Sequence, residues 1–239
     1  MSIMFKYILL SFLTSIAFYN TVFGQEDSLL LNYKNTFNQQ FGLDILLYSG
    51  QYYYPATNIV EGTPFWENKP LIVGDIYIKG QVFNDCRLRY HMYLGEFILV
   101  FTDQNGAEKQ IIIDSNKIDS IKIRNTKFIP NPYAEIHNKY LQVLSEGELP
   151  CFISWHVEKN FITTGDNVGY HYLNNGFDSY VYYNGQLLKI KKQKDLLAIL
   201  PERVKTGISG YRKTHKVRWR KMKPYQLQLL IRECEKYME

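Results

Sequence analysis

The sequence predicts a mainly β fold of the α+β class: an antiparallel meander, arranged as a sandwich or half-barrel, with two or three C-terminal helices. The first observation behind this prediction is a series of short β-type runs from Leu71 to Ile129, separated by turn residues. The second is composition, since 15% of the residues are aromatic and only 21% are charged, a mix that favours a folded sheet over disorder. The third is a change to helical periodicity after Lys194.

The central meander divides at its turn residues, which are Lys79-Gly80, Leu94-Gly95, Asp103-Gln104-Asn105-Gly106 and Ser115-Asn116. The predicted strands are Val73–Ile78, Val82–Tyr93, Glu96–Phe101, Lys109–Asp114 and Ile118–Ile123. The run from Glu96 to Phe101 is apolar on both faces, so we expect a second sheet layer or the C-terminal helices to cover it. Pro130 and Pro132 are expected to break the meander, because proline cannot donate to a strand ladder.

The second half of the chain continues the strand pattern. The predicted strands here are Tyr140–Ser145, Leu149–Glu158, Ser179–Tyr183 and Gln186–Lys192. Asn174-Asn175-Gly176 and Asn184-Gly185 are predicted turns, and the second of these has the composition of a tight two-residue hairpin.

The C-terminal segment, residues 194–239, is predicted to be helical. One helix is expected over Lys194–Leu200, a second from Pro201 to about Gly207, and a third over Tyr225–Met238. In the third, Leu227, Leu230, Ile231 and Cys234 recur at helical spacing and predict a buried stripe.

The N-terminus has the pattern of a secretory signal peptide. A single Lys6 precedes an apolar run from Tyr7 to Phe18, and the small residue Gly24 precedes the polar Gln25. The run is shorter than the roughly 20 residues of a membrane span, and an uncleaved anchor helix is the alternative interpretation. The sequence therefore predicts a signal peptide over residues 1–24 and a single β-rich domain over residues 25–239.

The three cysteines, Cys86, Cys151 and Cys234, leave two interpretations open. An exported chain can oxidise a pair of them, and Cys86 with Cys151 is then the preferred pair because both lie in predicted strands. The alternative is that all three are small buried apolar side chains. Their spacing does not indicate a metal site.

Charge is strongly uneven along the chain. Residues 189–239 contain 15 Lys and Arg against 5 Asp and Glu, a net charge of +10, which leaves −5 for residues 1–188. The candidate binding residues lie in the basic segment 212–223, and they are Arg212, Lys213, Lys216, Arg218, Trp219, Arg220, Lys221 and Lys223.

Three interpretations of the basic segment remain. Cations with a tryptophan suit a nucleic acid, but export makes that partner unexpected. Phospholipid and lipopolysaccharide phosphates attract the same cations outside the cytoplasm. The third interpretation is a solvated connector between two helices.

No motif for catalysis, cofactor or metal binding is present in the sequence. There is no Gly-x-Ser-x-Gly elbow, phosphate loop or dinucleotide fingerprint, and no histidine pair at metal spacing. His156 and His171 therefore read as ordinary sheet or loop residues. Phe65 and Trp66 could stack on a sugar or a base, but core filling is the expected use.

The layout resembles a group of small exported proteins of gram-negative bacteria without an assigned activity. The resemblance rests on the signal peptide, the segments Leu47–Tyr53 and Gly62–Trp66, the Gly74-to-Tyr90 strand pair and the helical end. Where similar proteins have Tyr-Asp-Gly before a Tyr, this chain has Ile78-Lys79-Gly80-Gln81-Val82-Phe83. The resemblance implies export and a β-rich body, and it supplies no catalytic or binding residues.

The sequence thus leads to the hypothesis of an exported envelope protein, periplasmic, bound to the outer membrane or extracellular. The expected role is a non-catalytic binding or structural module that contacts an anionic envelope surface or another envelope protein. The alternative is a hydrolase acting on envelope polysaccharide or peptide.

Overall fold

The computed structural model of the chain describes residues 46–103, 105–164, 167–215, 219 and 222–238. The predicted signal peptide lies outside the described residues. Residues 46–102 and 108–239 form one compact unit, and the loop Asp103–Ala107 is not part of it. Within that loop the Asp103 carboxylate accepts the N–H groups of Asn105 and Ala107 at 2.9 Å each, which closes the turn predicted there.

The described residues form one sheet of twelve strands. The strands are β1 (Gly50–Tyr52), β2 (Ile59–Glu61), β3 (Ile72–Ile78), β4 (Gln81–His91), β5 (Glu96–Thr102), β6 (Glu108–Ile113), β7 (Ser120–Ile123), β8 (Thr126–Pro130), β9 (Tyr140–Ser145), β10 (Cys151–Thr164), β11 (Asn167–Tyr183) and β12 (Gln186–Lys189).

The strand order is β1-β6-β5-β4-β3-β7-β8-β9-β10-β11-β12, with every neighbouring pair on this path antiparallel. Strand β2 lies off this path and pairs with β11 in parallel. The predicted mainly β fold with an antiparallel meander is therefore confirmed. The two-residue turns Lys79-Gly80 and Asn184-Gly185 have positive φ at both positions, as tight hairpins of this kind require.

Two predictions about the meander were wrong. The prolines do not break the meander, because a strand, β8, ends at Pro130 and pairs with both β7 and β9. Proline occupies the last position of β8, where the lost N–H matters least. Asn174-Asn175-Gly176 is not a turn but lies inside β11. Asn174 has φ of 54°, and the register shifts opposite it between His156 and Glu158, so these residues form a β-bulge.

The first hydrophobic core is built on β3 to β8 and is rich in aromatic rings. Phe97 is central, with ring centroids 4.7 Å from Tyr90, 5.1 Å from Phe128 and 5.0 Å from Tyr140. Trp66 is buried and meets Phe128 edge to face, so the expected core-filling role of Trp66 is confirmed.

Three helices follow the last strand: α1 (Gln193–Ile199), α2 (Glu202–Thr214) and α3 (Pro224–Glu235). They form the second core with β9 to β12, and the predicted stripe of α3 is buried as expected. The helices thus pack on this half of the sheet and not on the doubly apolar strand β5. The Glu235 carboxylate accepts from Ser145 Oγ at 2.7 Å and from the Leu149 N–H at 3.2 Å, which fixes α3 to the turn between β9 and β10.

All three cysteines are buried free thiols. Cys86 belongs to the first core, whereas Cys151 and Cys234 belong to the second. The structure thus matches the interpretation of three small buried side chains and contains no Cys86–Cys151 bond. Burial raises the pKa of Cys151 and raises that of Cys234 to about 12, so neither thiol ionises near neutral pH.

Helix α2 continues past its predicted end at Gly207, and this glycine allows a close contact inside the helix. A Cβ added at Gly207 would lie 2.6 Å from the ring of Tyr237, whereas one added at Gly210, in the same helix, would meet nothing within 4 Å.

These two glycines make a matched pair for a stability test. We expect Gly210→Ala to raise the free energy of unfolding by up to about 1 kcal/mol through helix propensity. Gly207→Ala should lose that gain or destabilise the protein, because its methyl group displaces Tyr237. Urea unfolding of both variants measures the difference, and equal stabilisation by the two alanines would contradict the proposed contact.

Candidate functional site: an aromatic platform beside a polar cleft

The structure describes only part of the predicted basic segment. Lys216, Arg218, Arg220 and Lys221 lie outside the described residues, and Arg212 and Lys213 belong to the last turn of α2. Trp219 donates its indole N–H to the Lys191 carbonyl at 2.9 Å and packs partly against the second core. Lys223 is exposed, and its backbone N–H donates to Gln226 Oε1 at 2.9 Å. The basic surface therefore stays a prediction.

A second candidate lies on strands β10 and β11, where they extend beyond the first core. Val157 of β10 and Tyr172 of β11 belong to that core. Because side chains alternate along a strand, Lys159 and Phe161 share the face of Val157, and Tyr170 shares the face of Tyr172. The register confirms this arrangement, with Lys159 opposite Tyr172 and Phe161 opposite Tyr170.

We name Tyr93, Lys159, Phe161 and Tyr170 the aromatic platform. The ring centroids of Phe161 and Tyr170 lie 5.0 Å apart in an edge-to-face arrangement. Lys159 Nζ lies 4.0 Å from the ring centroid of Tyr170 and 5.4 Å from that of Tyr93. Phe161 is 55% exposed and Tyr93 is 44% exposed, so the platform offers apolar ring surface to a ligand.

His91 forms the floor next to the platform. It is almost fully buried, and its ring meets those of Tyr53, Phe65 and Tyr172 edge to face. His91 Nδ1 accepts the Leu94 N–H at 3.3 Å. Burial, with a smaller contribution from the positive charge of Lys159, lowers the pKa of His91 to about 4, so this imidazole is neutral at neutral pH.

A polar cleft of about 530 Å³ borders the platform at Tyr93. Its walls are the turn after β4, residues 135–138, and the central parts of β10 and β11. The polar side chains that line it are Glu135, His137, Asn138, Ser154, His156, Asp178 and Tyr180. Gly176 faces His156, and a Cβ there would lie 2.8 Å from His156 Nε2, so the glycine leaves room for the imidazole.

Asn138 fixes the walls of the cleft to one another. Its buried amide donates to the Trp155 carbonyl of β10 and to Tyr90 Oη of β4. Gly95 packs directly on Asn138, since a Cβ at Gly95 would lie 2.6 Å from Asn138 Cα, and its φ of 67° also suits only glycine well. The cleft is therefore largely preformed.

The histidines of the cleft are not paired with its carboxylates. Among the described residues, neither His137 nor His156 hydrogen-bonds to a carboxylate, and Asp178 pairs with Lys189 at 2.6 Å. The part of the chain that the structure describes contains no group of three or more His, Cys, Asp or Glu able to hold a metal ion. The arrangement can bind polar groups, but it lacks a nucleophile paired with a base.

The platform was not predicted from the sequence, because the predicted strand ended at Glu158 and a turn was predicted at Asn174. The signal was present as Lys159 and Phe161 on one strand and Tyr170 and Tyr172 on the next, at the two-residue spacing of one sheet face.

Comparison with protein-family models, curated proteins and solved structures found no match for this chain. None of the helices within the described residues has the length and apolar character needed to cross a membrane.

Burial of neutral His91 predicts a pH-dependent stability. The unfolded chain binds a proton near pH 6.5, but the folded chain does not until about pH 4, so stability is full above pH 6.5 and falls as the pH drops towards 4. The expected loss is about 3 kcal/mol.

We expect His91→Asn, which can still accept the Leu94 N–H, to remove this component of the pH dependence. Urea unfolding of both proteins at pH 7 and pH 4.5 measures it. The same pH dependence in the variant and the wild type would show that His91 is not the group responsible.

Proposed function

We propose that this protein is an exported, non-catalytic binding module of the cell envelope, and that its aromatic platform binds a glycan. The proposal is carried by one observation: the Lys159 cation lies over Tyr170 and near the exposed ring of Tyr93, and the exposed ring of Phe161 contacts Tyr170. Sugar rings present C–H groups that stack on aromatic faces, while their hydroxyl groups need polar partners nearby. The cleft beside Tyr93 provides such partners.

Export is supported by the N-terminal sequence pattern, namely Lys6, the apolar run and the small residue Gly24. A glycan ligand agrees with that location, since polysaccharides are abundant in the cell envelope. A preformed cleft without a paired nucleophile agrees with binding in preference to turnover.

The platform makes a direct prediction for the chain from Gln25 onwards. In affinity electrophoresis through a panel of soluble polysaccharides, we expect at least one to retard the wild type. Phe161→Ala and Tyr93→Ala should each weaken that binding by about tenfold, because each removes an exposed stacking surface.

Tyr225→Ala is the matched control, because Tyr225 is 57% exposed but lies on α3 and not on the platform. It should migrate like the wild type. If the wild type binds no polysaccharide, or if all three alanine variants bind equally, the platform is not a glycan site.

A hydrolase is the second candidate, and one observation favours it: the cleft brings His137, His156 and Asp178 into the same space. The same experiment separates the two functions. Cleavage of a retarded polysaccharide, lost in His156→Ala, would replace the binding module with an enzyme, whereas an intact polysaccharide would support the module.

The basic segment supports a second contact, with an anionic envelope surface. We expect the protein to bind vesicles containing anionic phospholipid, with an affinity that falls steeply as salt rises. Replacing the seven Lys and Arg of the basic segment 212–223 with Glu should abolish this binding in vesicle sedimentation. Vesicles of neutral lipid are the control, and binding unchanged by the charge reversal would refute the assignment.

A further inference from the structure

Lys159 has no anionic partner within the described residues. It forms neither an ion pair nor a hydrogen bond with any carboxylate there. The neighbouring Glu158 points to the other face of β10, where its carboxylate accepts from Asn174 Nδ2 at 2.7 Å. The platform therefore carries one uncompensated positive charge.

The two tyrosine rings hold this charge in place. With Nζ 4.0 Å from the centroid of Tyr170 and 5.4 Å from that of Tyr93, the ammonium group is attracted by both ring faces. The rings satisfy its charge only in part, and its N–H donors have no acceptor among the described residues. An ammonium group positioned in this way is ready to bind an incoming anion.

The ring and the charge are adjacent. Phe161 and the Lys159 ammonium both adjoin Tyr170, Phe161 through its ring edge contact and Lys159 through the ring face. A sugar stacked on the exposed ring of Phe161 would thus have its edge next to the ammonium. A carboxylate on such an edge is the defining group of a uronic acid.

Tyr93 belongs both to the platform and to the wall of the cleft, whereas Ser154 and His156 of the cleft lie on the face of β10 opposite to Lys159 and Phe161. The two surfaces therefore meet only at Tyr93, and a ligand that occupies both must extend past this residue, as a chain of sugars does. His137 and Ser154 in the cleft supply hydrogen-bonding groups for the hydroxyl groups of a neighbouring sugar.

From this juxtaposition we infer that the glycan bound by the platform is an acidic polysaccharide, with a sugar stacked on Phe161 and its carboxylate paired with Lys159. The inference rests on the proposed glycan-binding function and specifies the class of ligand. A carboxylate close to an ammonium group in a partly covered site should favour the acidic form about tenfold over its neutral ester.

Polygalacturonate and its fully methyl-esterified form test this, because the two polymers share the same sugar chain and the ester replaces each carboxylate with an uncharged methyl ester. We expect the wild type to bind polygalacturonate about tenfold more tightly in affinity electrophoresis. Lys159→Met keeps the apolar stem and should bind both polymers equally, whereas Lys159→Arg keeps the charge and should retain the preference.

The basic segment could also attract a polyanion. The wild type and the two Lys159 variants are therefore compared again with the Lys and Arg residues of segment 212–223 changed to Gln. The Lys159-dependent preference should persist in that background. A preference that survives Lys159→Met, or that disappears with the basic segment, would overturn the inference.

The result also separates the inference from the proposed function. If the wild type binds the acidic and esterified polymers equally, and Phe161→Ala weakens the binding of both, the role of charge is refuted and the proposed glycan-binding function is retained. If the wild type binds neither these polymers nor the wider polysaccharide panel, both the inference and the proposed glycan-binding function are refuted.

Discussion

The pairing of β10 with β11 is the contact on which the rest of the structure depends. Their register runs from Cys151 opposite Val181 to Thr164 opposite Asn167. Cys151 and Val181, at one end of the hairpin, lie in the second core under the helices. Closer to the turn of the hairpin, Val157 and Tyr172 belong to the first core. One hairpin thus joins two cores, and the part that extends beyond them carries the platform.

The bulge in β11 decides which residues form that platform. Before the bulge the core-facing residues of β11 have even numbers, such as Tyr170 and Tyr172, and after it they have odd numbers, such as Phe177 and Val181. A shift of one residue moves every side chain to the other face of a sheet. Without the extra residue at Asn174, the tyrosines would face away from Lys159 and Phe161.

Electrostatics and packing act together at this end of the sheet. His91 is buried among rings and stays neutral, so it adds no positive charge beside Lys159. Asn138 satisfies buried polar atoms of β4 and β10 and holds the cleft open between them. The platform thus combines exposed rings with the single positive charge of Lys159, next to a neutral His91. Such a surface can recognise a ligand by its shape and by one ionic contact.

The sequence by itself determined the parts that depend on local chemistry. Alternating apolar residues established β3, the pairs Lys79-Gly80 and Asn184-Gly185 established tight hairpins, and the apolar stripe beginning at Leu227 established the buried face of α3. Each of these is visible within a few residues, because turn geometry and strand or helix periodicity are local properties.

Only the tertiary structure decided where those elements lie and what they form together. Asn174-Asn175-Gly176 has the composition of a turn, but in the pairing with the long strand β10 it forms a bulge, and Gly207 lies inside α2, where it leaves room for the ring of Tyr237. Lys159, Phe161 and Tyr170 become a surface only through the register of two strands. Register is set by contacts between residues distant in the chain, and for that reason no local pattern could fix it.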